Sequence, residues 1–194
     1  MPRVVDKVVK RKDIAKSTCN LFIQEGFVNI SISQIAKVAG IGKGTFYEYF
    51  KNKEDIVFEL MSCLQEDYDP KLKSNLNDTK DTKEKVAYLF NIFLDDDETI
   101  QIQRKIYKEF LAIYLSNPSK EIIEYHQILK NKYSLVLSDI LNDAIKNKEI
   151  SKLALEFIPS LFATAEGFLI TSEDSKKDIL DYLDNLFLLL ERNN

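Results

Sequence analysis

Apolar residues recur along most of this chain in steps of three and four, the period of an amphipathic helix. No stretch alternates with period two over the length of a strand. Ile14, Thr18, Leu21 and Phe22 form one stripe, which predicts a first helix from about Asp6 or Val8 to Gln24. Residues 1–5 precede that signal and are expected to be mobile. Gly26 is placed to end the helix, with Phe27 packing back on it. Ile32, Ile35, Ala36 and Ala39 mark the buried face of a second helix. A third, Lys43 to about Tyr49, buries Phe46 and sends Phe50 inward four residues later. Asn52 and Asp55 open a fourth, with Ile56, Leu60, Met61 and Leu64 inward. It is expected to end near Tyr68, before Pro70, and residues 69–80 read as a polar, turn-rich boundary within the body. Helices are predicted over about 82–94, 99–115 and 118–146, with Asn117 stopping the sixth and Pro118 at the first position of the seventh. The eighth, about 152–171, should kink or start late at Pro159, and the ninth covers about 175–191. These last two carry more apolar surface than one body can bury. The pattern predicts an all-α chain of about nine helices.

The punctuation is sharpest between residues 31 and 53. Ser31 and Gln34 make an S-x-x-Q capping box, so a helix begins at Ile32. Gly40 ends it where a left-handed residue is required. Ile41 turns inward and Gly42 opens the next helix. That short helix presents Lys43, Thr45, Tyr47 and Tyr49: a cation, a hydroxyl and two phenols. A DNA major groove accepts a helix of this size and chemistry.

A net charge of −4 argues against nucleic acid until its distribution is read. Residues 1–53 hold ten Lys and Arg against four Asp and Glu, and residues 54–194 hold seventeen against twenty-seven. The head is therefore +6 and the body −10, which puts the phosphate-binding surface at the N-terminus. Lys7, Lys10, Arg11 and Lys12 are either a solvated face or phosphate contacts.

Other chemistry is sparse. The single histidine, His126, leaves no His-rich metal site and no Ser-His-Asp triad, so an enzyme is not expected. Cys19 and Cys63 read as reduced thiols. Asp95 to Glu98 lack the spaced ligands and central glycine of a calcium loop, and read as a solvated turn that favours the next helix N-terminus. No apolar run approaches the roughly 18 residues a membrane span needs, and the N-terminus has no signal-peptide core. A cytoplasmic protein without a membrane partner is expected.

From about Ile14 to Val57 the chain resembles the tetracycline-repressor family of bacterial transcriptional regulators. The resemblance is carried by Leu21-Phe22, Glu25-Gly26-Phe27, Ile35-Ala36, Ala39-Gly40-Ile41, Gly44-Thr45-Phe46-Tyr47, Tyr49-Phe50 and Lys53-Glu54-Asp55. It implies a three-helix, helix-turn-helix DNA-binding domain over 1–53 and a helical effector-binding and dimerisation domain over 54–194. It implies a homodimer through helices 8 and 9 on a double-stranded, palindromic DNA operator, released by a small-molecule effector, with no cofactor. By the same resemblance Lys43 reaches base edges or phosphate, and Gly44 lets the backbone approach. Thr45 and Tyr47 donate hydroxyls to phosphate, while Tyr49 packs nearby. Lys53 is a phosphate contact, and Ser31 and Ser33 approach from the second helix. Gly42 departs from the family, which usually has Ser or Thr there as cap and phosphate contact.

In the body, Phe90, Phe93, Tyr107, Phe110, Tyr114, Tyr125, Tyr133, Phe162 and Phe168 fall at helical spacing. Each reads first as core. As a set they are candidates to line an apolar pocket, with His126 and Glu166 as its polar members. Such a pocket, with no obvious Arg or Lys cluster, leans toward a neutral or cationic apolar effector. A DNA-binding architectural or cell-cycle protein of the same fold, without a ligand, is the alternative.

Overall fold

The structure, a computed structural model, describes residues 6–116 and 118–191. The expectations for residues 1–5 and for Asn117 fall outside them. Among the described residues the chain is all-α: eleven α-helices, a 3-10 segment and one isolated β-bridge, Ile150 to Glu191. The helices are α1 (Lys7–Ser17), α2 (Cys19–Glu25), α3 (Ile32–Val38), α4 (Lys43–Tyr49), α5 (Glu54–Asp78), α6 (Thr82–Leu89), α7 (Asn91–Leu94), α8 (Glu98–Ser116), α9 (Lys120–Lys146), α10 (Ile158–Thr171) and α11 (Ser175–Leu190). They form two compact units, 6–70 with 102–116 and 71–101 with 118–191. The first unit thus holds α1 to α4, most of α5 and most of α8.

Several element ends differ from the sequence expectation. The first predicted helix is two helices joined at Thr18. This threonine is buried, and its hydroxyl donates to the Ala15 carbonyl at 2.7 Å. Helix α5 does not stop before Pro70 but runs through it for 25 residues to Asp78. Proline removes one backbone donor, yet Leu72 and the half-buried Leu76, four residues apart, keep an apolar face facing inward. Composition made 69–80 look like a turn, but those two leucines decide it. The break falls at 79–81, where Asp81 caps α6 through the Glu84 N–H. The predicted 82–94 helix breaks at Phe90. Ser119, not Pro118, begins the seventh predicted helix, accepting from the Ile122 N–H as N-cap of α9. Pro118 therefore precedes the cap.

The stretch Lys152–Thr171 starts as 3-10 and becomes α10 at Ile158. By length and composition it is apolar enough to cross a membrane, contrary to the sequence expectation. Glu156 and Glu166 interrupt a strict apolar run but not the average over it. Only 28% of its apolar window is buried. The second unit's core comes from the inward faces of α6, α9, α10 and α11: Val86, Leu137, Leu161, Leu169, Ile179 and Leu183. The acidic turn before α8 folds on itself. Asp95 accepts from the Asp97 N–H at 2.9 Å and from the Asn91 amide, which holds its carboxyl below the usual range. Among the described residues, no group of three or more His, Cys, Asp or Glu is placed to hold a metal.

Candidate nucleic-acid interface

The turn between α3 and α4 is built as its residues dictate. Ser31 Oγ accepts from the Gln34 N–H at 3.3 Å, and Gln34 Oε1 accepts from the Ser31 N–H at 2.8 Å. That closes the capping box. Gly40 stands at φ 65°, its N–H bonded to Lys37 O and the Ile41 N–H bonded to Ala36 O. The paired bonds satisfy the last carbonyls of α3 and turn the chain sharply. Gly42 is the N-cap of α4, with no side-chain cap bond. Beneath α4, Phe46 is fully buried and Phe50 nearly so, their ring centroids 5.5 Å apart.

This frame fixes what is left outside. Ser33, Gln34, Lys37 and Val38 share the exposed face of α3. Lys43, Gly44 and Tyr47 are exposed on α4, and Thr45 and Tyr49 are half-buried. Tyr47 stands edge-on against Phe46 at 5.3 Å and is 53% exposed. The predicted set Ser33, Lys43, Gly44, Thr45, Tyr47 and Tyr49 therefore comes together on one short helix-turn-helix. Ser31 lies beside it, but its hydroxyl already donates to Gln34 Oε1 at 2.7 Å.

Lys53 has partners within the protein. Its ammonium donates to the carbonyls of Phe27 at 2.6 Å and Ile30 at 2.9 Å, reaches Val28 O at 3.4 Å, and lies 4.2 Å over the Phe27 ring. Burial lowers its pKa, and the neighbouring Glu54 charge partly restores it. These contacts hold the α2–α3 turn and turn the ammonium toward the protein's own backbone. The N-terminal basic cluster divides too. Arg11 pairs with Glu59 at 2.5 Å and Lys12 with Glu66 at 2.6 Å, while Lys7 stays exposed. Lys37 and Lys51 are exposed cations that the sequence reading passed over. For Lys37 the available signal was its helical register with Ser33 and Gln34.

The sequence profile of the bacterial regulatory proteins of the tetR family matches residues 14–60, the stretch just described. "Probable HTH-type transcriptional regulator YttP" of Bacillus subtilis is 31% identical over 153 residues, 77% of this chain and 71% of that protein. This chain belongs to the tetR family of bacterial regulatory proteins. The family membership makes it a DNA-binding transcriptional regulator. The fatty acid metabolism regulator protein of Bacillus subtilis is 26% identical over 191 residues, 93% of each chain. Two solved structures share the fold. A TetR-family regulator from Cytophaga hutchinsonii has TM-score 0.78 at 16% identity, covering 99% of this chain and 100% of its own. A regulator from Saccharomonospora viridis in complex with choline has TM-score 0.77 at 18% identity, covering 94% and 98%.

The predicted effector residues fall into both units. In the first, Tyr107 and Phe110 are buried, their rings stacked at 6.1 Å, with Phe58 6.5 Å from Phe110 and Tyr114 half-buried. That unit also holds Tyr68, whose phenol burial pushes far above its usual range. In the second unit Phe90 packs between Phe93 at 6.1 Å and Phe162 at 5.2 Å. His126 is 5% exposed, and its Nε2 lies 3.0 Å from Glu166 Oε1. Tyr133 is half-buried, under the Lys132 ammonium. A narrow apolar cleft in the same unit is lined by Phe90, by Leu161 and Phe168 of α10, and by Ile179 and Tyr182 of α11.

At Gly42 the structure leaves room for a side chain: an added Cβ would meet only Thr45 Oγ1, at 3.9 Å. Gly42→Ser should therefore cap α4, adding a few tenths of a kcal/mol of stability. It should also tighten binding to a selected DNA duplex about threefold, by offering one more hydroxyl to phosphate. Urea melts and binding titrations of the variant check both.

Proposed function

We propose that this regulator is a ligand-responsive repressor that binds a palindromic operator as a homodimer. The observation that carries the reading is the exposed set on α3 and α4, held on a capped and packed frame in a basic head. Lys43 and Gly44 address base edges and the nearby backbone. Thr45, Tyr47, Tyr49, Ser33 and the exposed Lys37 and Lys51 address phosphates. Lys53 and Ser31 act mainly by fixing the frame. Hydroxyls and backbone donors set the register while one or two side chains read sequence.

One recognition helix spans only a few base pairs, so useful specificity calls for two heads about one helical turn apart. A second copy is supplied with a surface on α10 and α11. Ile170 is 51% exposed, and Leu188 and Leu189 are 68% and 78% exposed, on helices whose other faces are core. Covering this apolar surface with its own copy closes a two-fold assembly, a four-helix contact across the axis. The site of action is the cytoplasm, with the chromosome.

The effector reading rests on the second unit's polar pair. Glu166 puts a largely buried carboxylate among aromatic helices, which suits a neutral or cationic apolar compound. The choline bound to the Saccharomonospora viridis regulator is of that class. A ligand that prefers the non-binding conformation would release the operator by linkage. A ligand-free architectural role is the second reading, favoured by the tight packing of Phe90, Phe93 and Phe162.

The test is selection of genomic fragments on the purified protein, then titration of the best duplex across a salt series. A near-palindrome with a log–log slope of about −7 is expected for about eight phosphate contacts. Absence of any enriched sequence, or a monomer by light scattering at micromolar concentration, would refute the dimeric reader. A screen of quaternary amines and neutral amphiphiles for loss of that binding separates the sensor from the architectural reading.

A further inference from the structure

The turn joining α2 to α3, residues 26–30, has backbone groups that neither helix satisfies. Two side chains of opposite charge supply the missing partners. Lys53, just before α5, takes the Phe27 and Ile30 carbonyls. From α8, Glu109 Oε2 accepts from the Phe27 N–H at 2.6 Å. Gly26, at φ 72°, makes the turn beside it, and both carboxylate oxygens lie 3.7 Å from where a Cβ would stand, an ordinary contact distance. Phe27 is thus held by its N–H from one helix and by its carbonyl from the start of another. Ile30, whose carbonyl is also held, directly precedes Ser31, the N-cap of α3.

We propose that Glu109 is a positioning residue for DNA binding, seating the start of α3 by pinning the Phe27 amide. It lies 56 residues beyond Lys53 in sequence (109 − 53), on a helix outside the family's DNA-binding segment of 14–60. The bond is charge-assisted and partly shielded, so it resists competition by water. The inference rests on the reading of α3 and α4 as the DNA-contacting elements.

The test uses the full-length protein and a duplex recovered by genomic selection on the wild type. E109L removes the acceptor at similar volume, and E109Q keeps an oxygen that can still accept. Binding by E109L should be about tenfold weaker with an unchanged salt slope, and by E109Q within about threefold of wild type. Hydrogen exchange at the Phe27 amide should accelerate in E109L and stay close to wild type in E109Q. Should E109L fail to fold, E109D decides. It keeps the charge but loses the reach, and its binding should weaken as predicted for E109L. Wild-type affinity in a folded E109L or E109D would overturn the proposal while leaving the DNA-reading head intact. A wild-type protein that selects no DNA sequence would overturn both, although Phe27 exchange would still report the bond.

Discussion

Tyr47→Ala should weaken operator binding about 100-fold and leave the fold intact. The side chain is 53% exposed, and its ring approaches Phe46 edge-on. Phe46 also packs on Phe50, and Tyr47 lies outside the core, so truncation should open no cavity there. Alanine is the better helix former by a few tenths of a kcal/mol, which offsets the lost edge contact. On DNA the phenol would contribute a hydroxyl bond to phosphate and the ring's packing on the backbone. Together these are worth about 3 kcal/mol, or about two decades in affinity. Tyr47→Phe should lose about one decade, separating hydroxyl from ring. Neither variant removes a charge, so the salt slope should hold, whereas Lys43→Ala should reduce it by about one. A folded Tyr47→Ala protein that binds the selected duplex within threefold of wild type would remove Tyr47 from the interface.

The sequence made α3 and α4 readable because each end is set by a local rule. The Ser31–Gln34 box, Gly40 and the Phe46/Phe50 spacing all act within five residues, and the structure places them as read. The roles of the basic residues were harder to read. Arg11, Lys12 and Lys53 look alike in composition to Lys43, but their fates are decided by partners 23 to 54 residues away. Lys53 finds three carbonyls in a turn that no sequence pattern advertises as short of donors. Glu109 was invisible for the same reason: a glutamate on a helix reads as solvated until the Phe27 amide is seen beside it. Helix α5 shows the reverse failure. Pro70 is a strong local breaker, but burial of Leu72 and Leu76 outweighed it. The body's aromatics were legible as core, and the sequence could not say which of them would face one another.

Arg11→Ala should destabilise the DNA-contacting unit by about 2–3 kcal/mol. The guanidinium joins three helices. Its Nε donates to Glu59 Oε2 at 2.5 Å, its Nη1 donates to the Tyr49 carbonyl, and its face lies 4.4 Å from the Phe50 ring centroid. Helix α4 has only seven residues, too few to persist without tertiary support. Arg11 meets it at its C-terminal end, where orphan carbonyls and the negative end of the helix dipole favour a cation. Removing the side chain leaves the Glu59 carboxylate, 14% exposed, without this counter-ion, and leaves the Tyr49 carbonyl without this donor. A fully buried pair broken this way costs 3–5 kcal/mol, and the 31% exposure of Arg11 reduces that. Arg11→Lys should recover less than half of the loss, because one ammonium cannot span the carboxylate, the carbonyl and the ring face together. Urea melts would measure the change, and amide exchange in α4 would locate it. A double-mutant cycle on Arg11 and Glu59 would isolate the ion pair from the carbonyl and ring contacts. Were Arg11 instead a phosphate contact, Arg11→Ala would melt like the wild type and shed about one from the salt slope. The two roles are therefore separated by one pair of measurements on one variant.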